Sequence, residues 1–304
     1  MNKIGLSLGG GGAKGSYQLG VMKALDEYNL LEKINVVSGT SIGSINALMF
    51  MAGKSVSEMV EIWNDINNDE IYQSGIQFKQ SKYQKLYDIT PLFNKLSVSV
   101  TTKEIKQSKI DCYVTACKIL NDNKKLSQFK FWDMEVRYFH LNTYRLPRKA
   151  VLASASIPGL FGKTKIMGKS YVDGGLLDNH PIDPLLKQKC NIIFNVPLDQ
   201  FFKPNKYHKE SIVIIDFSSK HAFHSSLIID LIDAIRFDND RIEERFRYGY
   251  LVGKKILEKL FNNPVLNNDL TFNIPDKFLM INLSPDEDLE IYNQIRKEFT
   301  NDKD

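Results

Sequence analysis

The chain has 304 residues, of which 43% are hydrophobic and 25% are charged, and its formal net charge at pH 7 is +4. These proportions predict a globular protein with a sizeable core, and the interleaved acidic residues argue against a nucleic-acid-binding protein. The cysteines Cys112, Cys117 and Cys190 have no metal-ligand spacing, so we expect reduced thiols in a cytoplasmic protein and no metal site.

Neither a secretory signal nor a membrane span is predicted. The first apolar stretch, MNKIGLSLGG, is too short and too rich in glycine for a signal peptide. The most apolar later segment, INALMFMAG, has nine residues, whereas a membrane-spanning helix needs roughly 20. We therefore expect a cytoplasmic protein whose contact with membranes is at most peripheral.

The first elements alternate between strand and helix. Residues 4–8 have the alternation of a strand that leads into four glycines, and apolar residues at helical spacing follow Gly15. The run INVVSG predicts a buried strand, and the helix after it ends with Gly53 as its cap. Ser55 and Glu58 have the spacing of a capping box that opens another helix. This order predicts an α/β fold with a parallel sheet.

Further strand candidates follow, and residues 67–90 predict an irregular surface segment. The turn signal at 121–123 indicates that part of the sheet is antiparallel. We expect a central, mostly parallel sheet flanked by helices over residues 1–218, and a mainly helical extension over 219–304 packed on the same unit. The strand candidates are Asp111–Ile119, Lys125–Phe131, Val136–Leu141, Ser170–Asp173, Asn191–Val196, Ser211–Phe217 and Phe278–Leu283.

The glycines after the first strand match a dinucleotide-binding fingerprint, Gly10-x-Gly12-x-x-Gly15. That fingerprint also needs an acidic residue at the end of the second strand, where this chain has VVSGTSIG instead. Lys14 is followed by glycine rather than by the Ser or Thr of a phosphate-binding loop. A nucleotide-binding protein therefore remains an alternative that rests on the glycines alone.

The sequence GTSIG at 39–43 has the GxSxG pattern of a nucleophile elbow. A sharp turn from strand to helix strains the central Ser41 and exposes its hydroxyl, which requires small neighbours. Consecutive glycines can direct several N–H groups at one anion, and opposite a serine nucleophile that anion is the tetrahedral oxyanion. We therefore predict that the amides of Gly10, Gly11 and Gly12 form an oxyanion hole.

A serine nucleophile needs a base, and Asp173 is the preferred candidate because it ends a strand at a double glycine. Partial burial should raise the pKa of its carboxyl group toward the working range. The chain order Ser, Asp, His also allows a triad, which remains open as an alternative. The histidines that could complete it are His180, His208, His221 and His224.

Four motifs together resemble the patatin-like phospholipase family: GGGGAKG at 9–15, GTSIG at 39–43, ASASIPGLF at 153–161 and DGGLLDNHPI from Asp173 onward. The resemblance covers roughly residues 4–196. It implies a three-layer sandwich related to α/β-hydrolases and a serine–aspartate dyad without histidine. Ser41 corresponds to the nucleophile and Asp173 to the base. The implied substrates are phospholipids or other acyl lipids, with no cofactor and no metal ion.

Other residues have expected roles around this site. Lys14 stands where the family often has arginine, although lysine cannot make the bidentate contact that arginine makes. Two interpretations of Lys14 stay open: a contact with a lipid head group, or a solvated side chain at the start of a helix. Pro158 and Phe161 are expected to shape the wall beside the nucleophile, and Asn179 and Pro181 to fix the loop after Asp173. A non-catalytic lipid-binding protein on the same scaffold remains a further alternative.

One segment has the composition of a membrane-surface contact. In LDQFFKPNKYHK, two aromatic residues stand beside three lysines, a mixture suited to an anionic lipid surface. The alternative is an aromatic pair that caps the core, with solvated lysines around it. The residues are Phe201, Phe202, Lys203, Lys206 and Lys209.

Overall fold

The computed structural model describes residues 2–66, 94, 98–121, 130–158, 161–208, 210–223 and 239–300. Within these residues one sheet contains β1 (Ile4–Leu8), β2 (Val36–Thr40), β3 (Asp111–Ile119), β4 (Met134–His140), β5 (Thr164–Ile166), β6 (Lys169–Asp173), β7 (Ile192–Val196), β8 (Val213–Asp216) and β9 (Leu279–Ile281). The helices are α1 (Gly15–Glu27), α2 (Ile42–Met51), α3 (Val56–Ile66), α4 (Thr102–Gln107), α5 (Pro147–Ser154), α6 (Asp183–Lys187), α7 (Asn239–Phe261) and α8 (Pro285–Thr300).

The centre of the sheet is parallel. Its strands lie in the order β3-β2-β1-β7-β8-β9, and each neighbouring pair runs in the same direction. The strand order reverses at β1, so the loops that follow β1 and β2 meet at the carboxyl edge of the sheet. Open α/β sheets bind their ligands at such a reversal. The predicted central, mostly parallel sheet flanked by helices is confirmed.

The antiparallel part of the sheet is built around the long strand β3. On one edge β3 pairs with β4 over Tyr113–Ile119. The other edge is shared, because β2 pairs with Asp111–Thr115 and β6 pairs with Ala116–Lys118. Since β6 is antiparallel to β3, it runs toward the end of β2 in the same line. The last residues of β2 and β6 therefore meet at neighbouring positions of β3.

The two faces of the sheet carry separate apolar clusters. On one face, side chains such as Leu6 and Phe194 pack with residues of α1, α2, α5 and α7. On the other face, Ile193 and Ile214 pack with Leu185 of α6 and with Tyr207 of a 3-10 helix, Pro204–Tyr207. The helices and the sheet thus form three layers, of which the second helical layer is thin.

The C-terminal region packs directly on this sheet. Helix α7 crosses α1 so closely that a Cβ atom at Gly20 would lie 2.0 Å from the carbonyl oxygen of Phe246. A Cβ atom at Gly249 would lie 2.0 Å from the carbonyl oxygen of Tyr17. Strand β9 extends the sheet beside β8. The extension predicted over 219–304 therefore contributes one strand as well as helices.

Several predicted elements differ from the structure. The candidate strand Lys125–Phe131 lies mostly outside the described residues, and its end belongs to a 3-10 helix, Phe131–Asp133. The Asp133 carboxylate accepts the Lys130 N–H at 3.0 Å, which caps that turn instead of extending a strand. Strand β5 and helices α4, α5 and α6 were not predicted. The surface segment 67–90 lies outside the described residues.

Candidate active site

Ser41 occupies a strained turn between β2 and α2. Its φ and ψ are 53° and −124°, a conformation that residues other than glycine rarely adopt. The glycines on either side are required by close contacts: a Cβ atom at Gly39 would lie 2.4 Å from the Gly43 carbonyl oxygen, and one at Gly43 would lie 2.2 Å from that of Leu8. The Ser41 N–H donates to Ser154 Oγ at 2.8 Å. The turn therefore has the strain and the crowding expected of a nucleophile elbow.

The Ser41 hydroxyl points at a carboxylate. Ser41 Oγ donates a hydrogen bond to Asp173 Oδ2 at 2.6 Å, although the two residues are 132 positions apart. The pairing of β3 explains this contact, because Thr40 lies opposite Thr115 while Asp173 lies opposite Ala116. Both residues are only 6% exposed. The structure thus brings the two predicted residues into direct contact.

The other oxygen of Asp173 is also bonded. The Gly175 N–H donates to Asp173 Oδ1 at 2.8 Å. Between them, Gly174 lies so close to β3 that a Cβ atom would come within 2.3 Å of the Thr115 carbonyl oxygen. The double glycine therefore lets the chain turn back on the carboxylate and hold it with a backbone amide.

Burial raises the pKa of Asp173 from 3.8 to about 6, although the hydrogen bonds from Ser41 and Gly175 lower it in part. The direction follows from the cost of placing a carboxylate where water does not reach it. The expected rise in the pKa of Asp173 is confirmed. At neutral pH the group is ionised and its pKa is close to the range in which a general base is most effective.

The glycine loop runs directly beside Ser41. A Cβ atom at Gly10 would lie 3.0 Å from Ser41 Cβ and 2.4 Å from Asn179 Oδ1. The Gly10 N–H donates to the Asn179 carbonyl oxygen at 3.4 Å, a long bond. Within the described part of the chain, no acceptor bonds the N–H groups of Gly11 and Gly12. Two of the three predicted donors thus have no acceptor within the described residues, and Gly11 and Gly12 line the same cavity as Ser41.

Asn179 fixes the loop from both sides. Its Nδ2 group donates to the Gly10 carbonyl oxygen at 3.1 Å and to Asp199 Oδ2 at 2.5 Å. His180 Nε2 lies 3.0 Å from Asp199 Oδ1, and the Phe201 N–H donates to the same oxygen at 2.7 Å. Asn179 was predicted to fix the loop after Asp173, and its contacts attach that loop to the glycine loop and to Asp199.

Asp199 was not identified from the sequence. It follows β7 at the carboxyl edge of the sheet, and a carboxylate in that position was the signal that could have pointed to it. Burial raises the pKa of Asp199, but contacts with His180, Phe201 and Asn179 lower it by more, so its pKa lies below the ordinary value. Asp199 is therefore an anchored anion that orients Asn179 and His180.

The histidines have other partners. Besides the contact of His180 with Asp199, His140 Nε2 lies 3.0 Å from Asp111 Oδ1. The rings of His208 and His221 pack 4.8 Å from Phe278 and 5.2 Å from Tyr292, respectively. His224 lies outside the described residues. Among the residues that the structure describes, no histidine bonds Ser41 or Asp173.

A cavity of about 190 Å³ opens beside these groups. The glycine loop, Ser41 and Asp173 lie on its polar side, and its apolar side includes the predicted wall residue Pro158. Phe161 packs against the core and is not part of the lining. The remaining apolar lining residues are Ile157, Leu176 and Leu198. A larger cavity of about 500 Å³, beside Trp63, contains none of the predicted site residues.

Lys14 lines the same cavity but is buried. Its ammonium group lies 5.2 Å from the centroid of the Phe223 ring, a distance at which a cation and an aromatic face attract each other.

The two phenylalanines of the predicted membrane-surface contact after β7 have different environments. Phe201 is exposed, whereas Phe202 packs on Tyr207 and His180. Lys206 bonds Asp183, and Lys209 lies outside the described residues.

The described residues contain neither a cluster suited to a metal ion nor a helix suited to spanning a membrane. No group of three or more His, Cys, Asp or Glu side chains in the described ranges is arranged to hold a metal ion. No helix in the same ranges combines the length and the apolarity needed to cross a bilayer.

Pro181 was predicted to fix the loop after Asp173. Its carbonyl oxygen accepts a hydrogen bond from the Ser38 hydroxyl at 2.5 Å.

Several known proteins are similar to this chain. The model of the patatin-like phospholipase family matches residues 6–186. Lysophospholipase NTE1 of Candida glabrata is 27% identical over 212 residues, which cover 64% of this chain and 10% of that protein. Lysophospholipase nte1 of Aspergillus niger is 27% identical over 208 residues, which cover 64% of this chain and 12% of that protein. Human GIVD cytosolic phospholipase A2 is similar with a TM-score of 0.44 and 10% identity over 72% of this chain and 46% of that one. The chain thus spans about a tenth of the curated relatives' length.

Proposed function

The chain belongs to the patatin-like phospholipase family, and from this we propose that it hydrolyses fatty-acyl esters of phospholipids, with Ser41 as nucleophile and Asp173 as general base. One observation carries the proposal: Ser41 Oγ donates to Asp173 Oδ2 at 2.6 Å inside a cavity that also holds the glycine loop. A hydroxyl that is already bonded to its base needs no rearrangement before it reacts.

In the first half of the reaction, Ser41 Oγ attacks the ester carbonyl carbon while its proton passes to Asp173 Oδ2. The carbonyl oxygen becomes an oxyanion, for which the amides of Gly11 and Gly12 are the available donors. The Gly10 amide can join them by giving up its long bond to Asn179. The carbon–oxygen bond to the glycerol then breaks, and Asp173 returns the proton to the leaving alcohol, which leaves an acyl group on Ser41.

In the second half, water attacks the acyl carbonyl carbon and gives its proton to Asp173. The same amides hold the second oxyanion until the bond to Ser41 Oγ breaks, and Ser41 recovers its proton from Asp173. A carboxylate with a pKa of about 6 is a weaker base than a histidine–aspartate pair. Esters suit this weaker base because their leaving group is better than that of an amide.

The cavity lining supports an acyl lipid as the substrate. The apolar side, with Pro158, Leu176 and Leu198, can hold the first part of an acyl chain. Leu176 is itself partly exposed at the mouth, so the chain can continue outward. Lys14 lines the same cavity, and its positive charge can attract the phosphate of a head group.

The test compares Ser41→Ala and Asp173→Asn with the wild type on a chromogenic fatty-acyl ester and a phospholipid. Each variant should lose at least about 1,000-fold in kcat/KM, because nucleophile and base act as one unit. Asp178→Asn is the control, since Asp178 is a partly buried aspartate that bonds Tyr138 instead of Ser41. A fluorophosphonate probe should label the wild type and not Ser41→Ala.

Three outcomes would contradict the proposal. Equal labelling of wild type and Ser41→Ala would remove Ser41 as the nucleophile. Full hydrolysis by Asp173→Asn, with loss on replacing His180, would favour a triad. A wild type that binds phospholipid but shows neither hydrolysis nor labelling would be a lipid-binding protein on the same scaffold.

A further inference from the structure

Four large apolar side chains are exposed at the ends of two adjacent hairpins. Leu120, Phe131 and Trp132 lie at the end of the hairpin formed by β3 and β4, and Met167 lies in the turn between β5 and β6. Their exposed fractions are 53%, 68%, 70% and 69%, respectively. We call these four residues the tip surface. Folded proteins rarely leave such a group uncovered unless it binds something.

Strand pairing brings the two hairpin ends together. Strand β6 is antiparallel to β3, and Tyr171 lies opposite Lys118. The turn that precedes Lys169 therefore lies at the same end of the sheet as Leu120, which follows β3. Both ends are consequently at the carboxyl edge of the parallel strands, where Ser41 and its cavity also lie.

The tip surface lies further along the strand direction than the end of β2, which Ser41 follows. The end of β2 lies opposite Thr115, and β3 continues for the four residues 116–119 past that position. At about 3.3 Å per residue, β3 extends roughly 13 Å further than β2. A planar layer that touched the tip surface would therefore face the edge of the sheet at which Ser41 and its cavity lie.

Basic residues surround these apolar side chains. Lys130 Nζ lies 4.9 Å from the centroid of the Trp132 ring. Exposed Lys165 and Lys169 lie on either side of Met167, in the sequence KTKIMGK, which has no acidic residue. The hydrogen bond from the Lys130 N–H to the Asp133 carboxylate fixes the turn that presents Phe131 and Trp132 outward.

We propose that the tip surface inserts into the head-group region of a lipid bilayer that contains anionic lipids, and so holds the cavity at the membrane surface. The biological role of this insertion rests on the proposed phospholipid hydrolysis, whereas the insertion itself is inferred from the exposed apolar side chains and the lysines beside them. Tryptophan and other apolar side chains with lysines at their margin match the interface of a bilayer, where apolar groups reach acyl chains and ammonium groups meet phosphates. A protruding surface can also make contact with a flat membrane, which a groove cannot do.

The chain provides its own probe of this insertion. It has two tryptophans, of which Trp63 is buried and donates to Asn46 Oδ1 at 2.9 Å, whereas Trp132 is exposed. Adding vesicles of phosphatidylcholine with a minor fraction of phosphatidylserine should shift the emission of wild type to shorter wavelength. Trp132→Phe should show no such shift, because the environment of Trp63 does not change. An unchanged wild-type spectrum, with wild-type protein left in the supernatant, would overturn the proposal.

Binding and hydrolysis are then separated with a Phe131→Ala/Trp132→Ala double variant. We expect its affinity for the vesicles to fall at least tenfold, and its hydrolysis of vesicle phospholipid to fall with it. Its hydrolysis of a soluble short-chain ester should match the wild type, because neither residue lines the cavity. The control Leu289→Ala removes an exposed apolar side chain from α8 and should bind vesicles as the wild type does.

The two proposals fail in different ways. If the wild type cannot hydrolyse the soluble ester, the proposed function fails, while the fluorescence shift still tests membrane insertion. If the soluble ester is hydrolysed but the double variant binds vesicles with wild-type affinity, the tip surface is not the membrane contact. Equal loss of binding in Leu289→Ala would contradict the proposal too, since the effect would then not be specific to the tip surface.

Discussion

Replacing Asp173 with asparagine should abolish hydrolysis and also stabilise the folded protein at neutral pH. Burial raises the pKa of Asp173 from 3.8 to about 6, so the folded protein holds an ionised group in an unfavourable place above that pH. At 1.36 kcal/mol for each pH unit between the two values, the cost is about 3 kcal/mol. Asparagine carries no charge and avoids that cost.

The sign of the effect depends on pH. Between about pH 4 and pH 6 the folded state keeps a proton on Asp173 that the unfolded state has released, so the stability of the wild type falls as pH rises through this range. The asparagine of the variant would not titrate, and its side chain can keep both existing contacts. Its Oδ1 can accept the Gly175 N–H, and its Nδ2 can donate to Ser41 Oγ.

The assay is urea denaturation of the wild type and of Asp173→Asn at pH 4 and pH 8. The advantage of the variant in free energy of unfolding should be about 2.4 kcal/mol larger at pH 8 than at pH 4, because the unfolded carboxyl group is already partly ionised at pH 4. This difference corresponds to roughly 4 °C in Tm for a chain of this length. Asp26→Asn, at an exposed position on α1, is the control for loss of a charge. An advantage of the same size at both pH values would refute the reasoning.

Three further predictions follow from the same contacts. On a soluble ester, kcat/KM should rise about tenfold from pH 5 to pH 7, because only ionised Asp173, with its pKa of about 6, accepts a proton; a flat profile would exclude it as the base. Asn179→Ala removes the bond to the Gly10 carbonyl oxygen and should lower kcat by about 10- to 100-fold with little change in KM, whereas Asn205→Ala at an exposed position should not. His180→Gln should stay within about tenfold of the wild type in kcat/KM, and a loss of about 1,000-fold would indicate a triad.

The local part of the site could be predicted from the sequence because its cause is local. A serine between two glycines, after one strand and before one helix, demands a strained turn whatever the rest of the chain does, and Gly39 and Gly43 have the predicted close contacts. The glycines at Asp173 likewise indicate a turn that presents a carboxylate. The contact between Ser41 and Asp173 depended on the family resemblance as well, since no local pattern relates positions so far apart.

The elements that sequence reasoning missed are short or depend on distant partners. Strand β5 has three residues and α6 has five, so neither is long enough to display a period. Phe131 was predicted to end a strand, but the hydrogen bond from the Lys130 N–H to the Asp133 carboxylate caps a turn there instead. The role of Asp199 is set by Asn179 and His180, twenty and nineteen positions earlier, through a contact that exists only in the folded chain.

The position of Asp173 relative to Ser41 is a property of the backbone of β3. Because Thr40 and Asp173 pair with consecutive residues of one strand, a slip of β6 by one residue would turn the Asp173 side chain to the opposite face of the sheet. Gly174 opposes other arrangements, since its Cα position is packed against the Thr115 carbonyl oxygen with no space for a side chain. The strain at Ser41 and the buried charge at Asp173 each destabilise the fold, so neither would persist unless the ladder on β3 held both in place. The stability of the sheet therefore offsets the destabilising effect of this pair of residues.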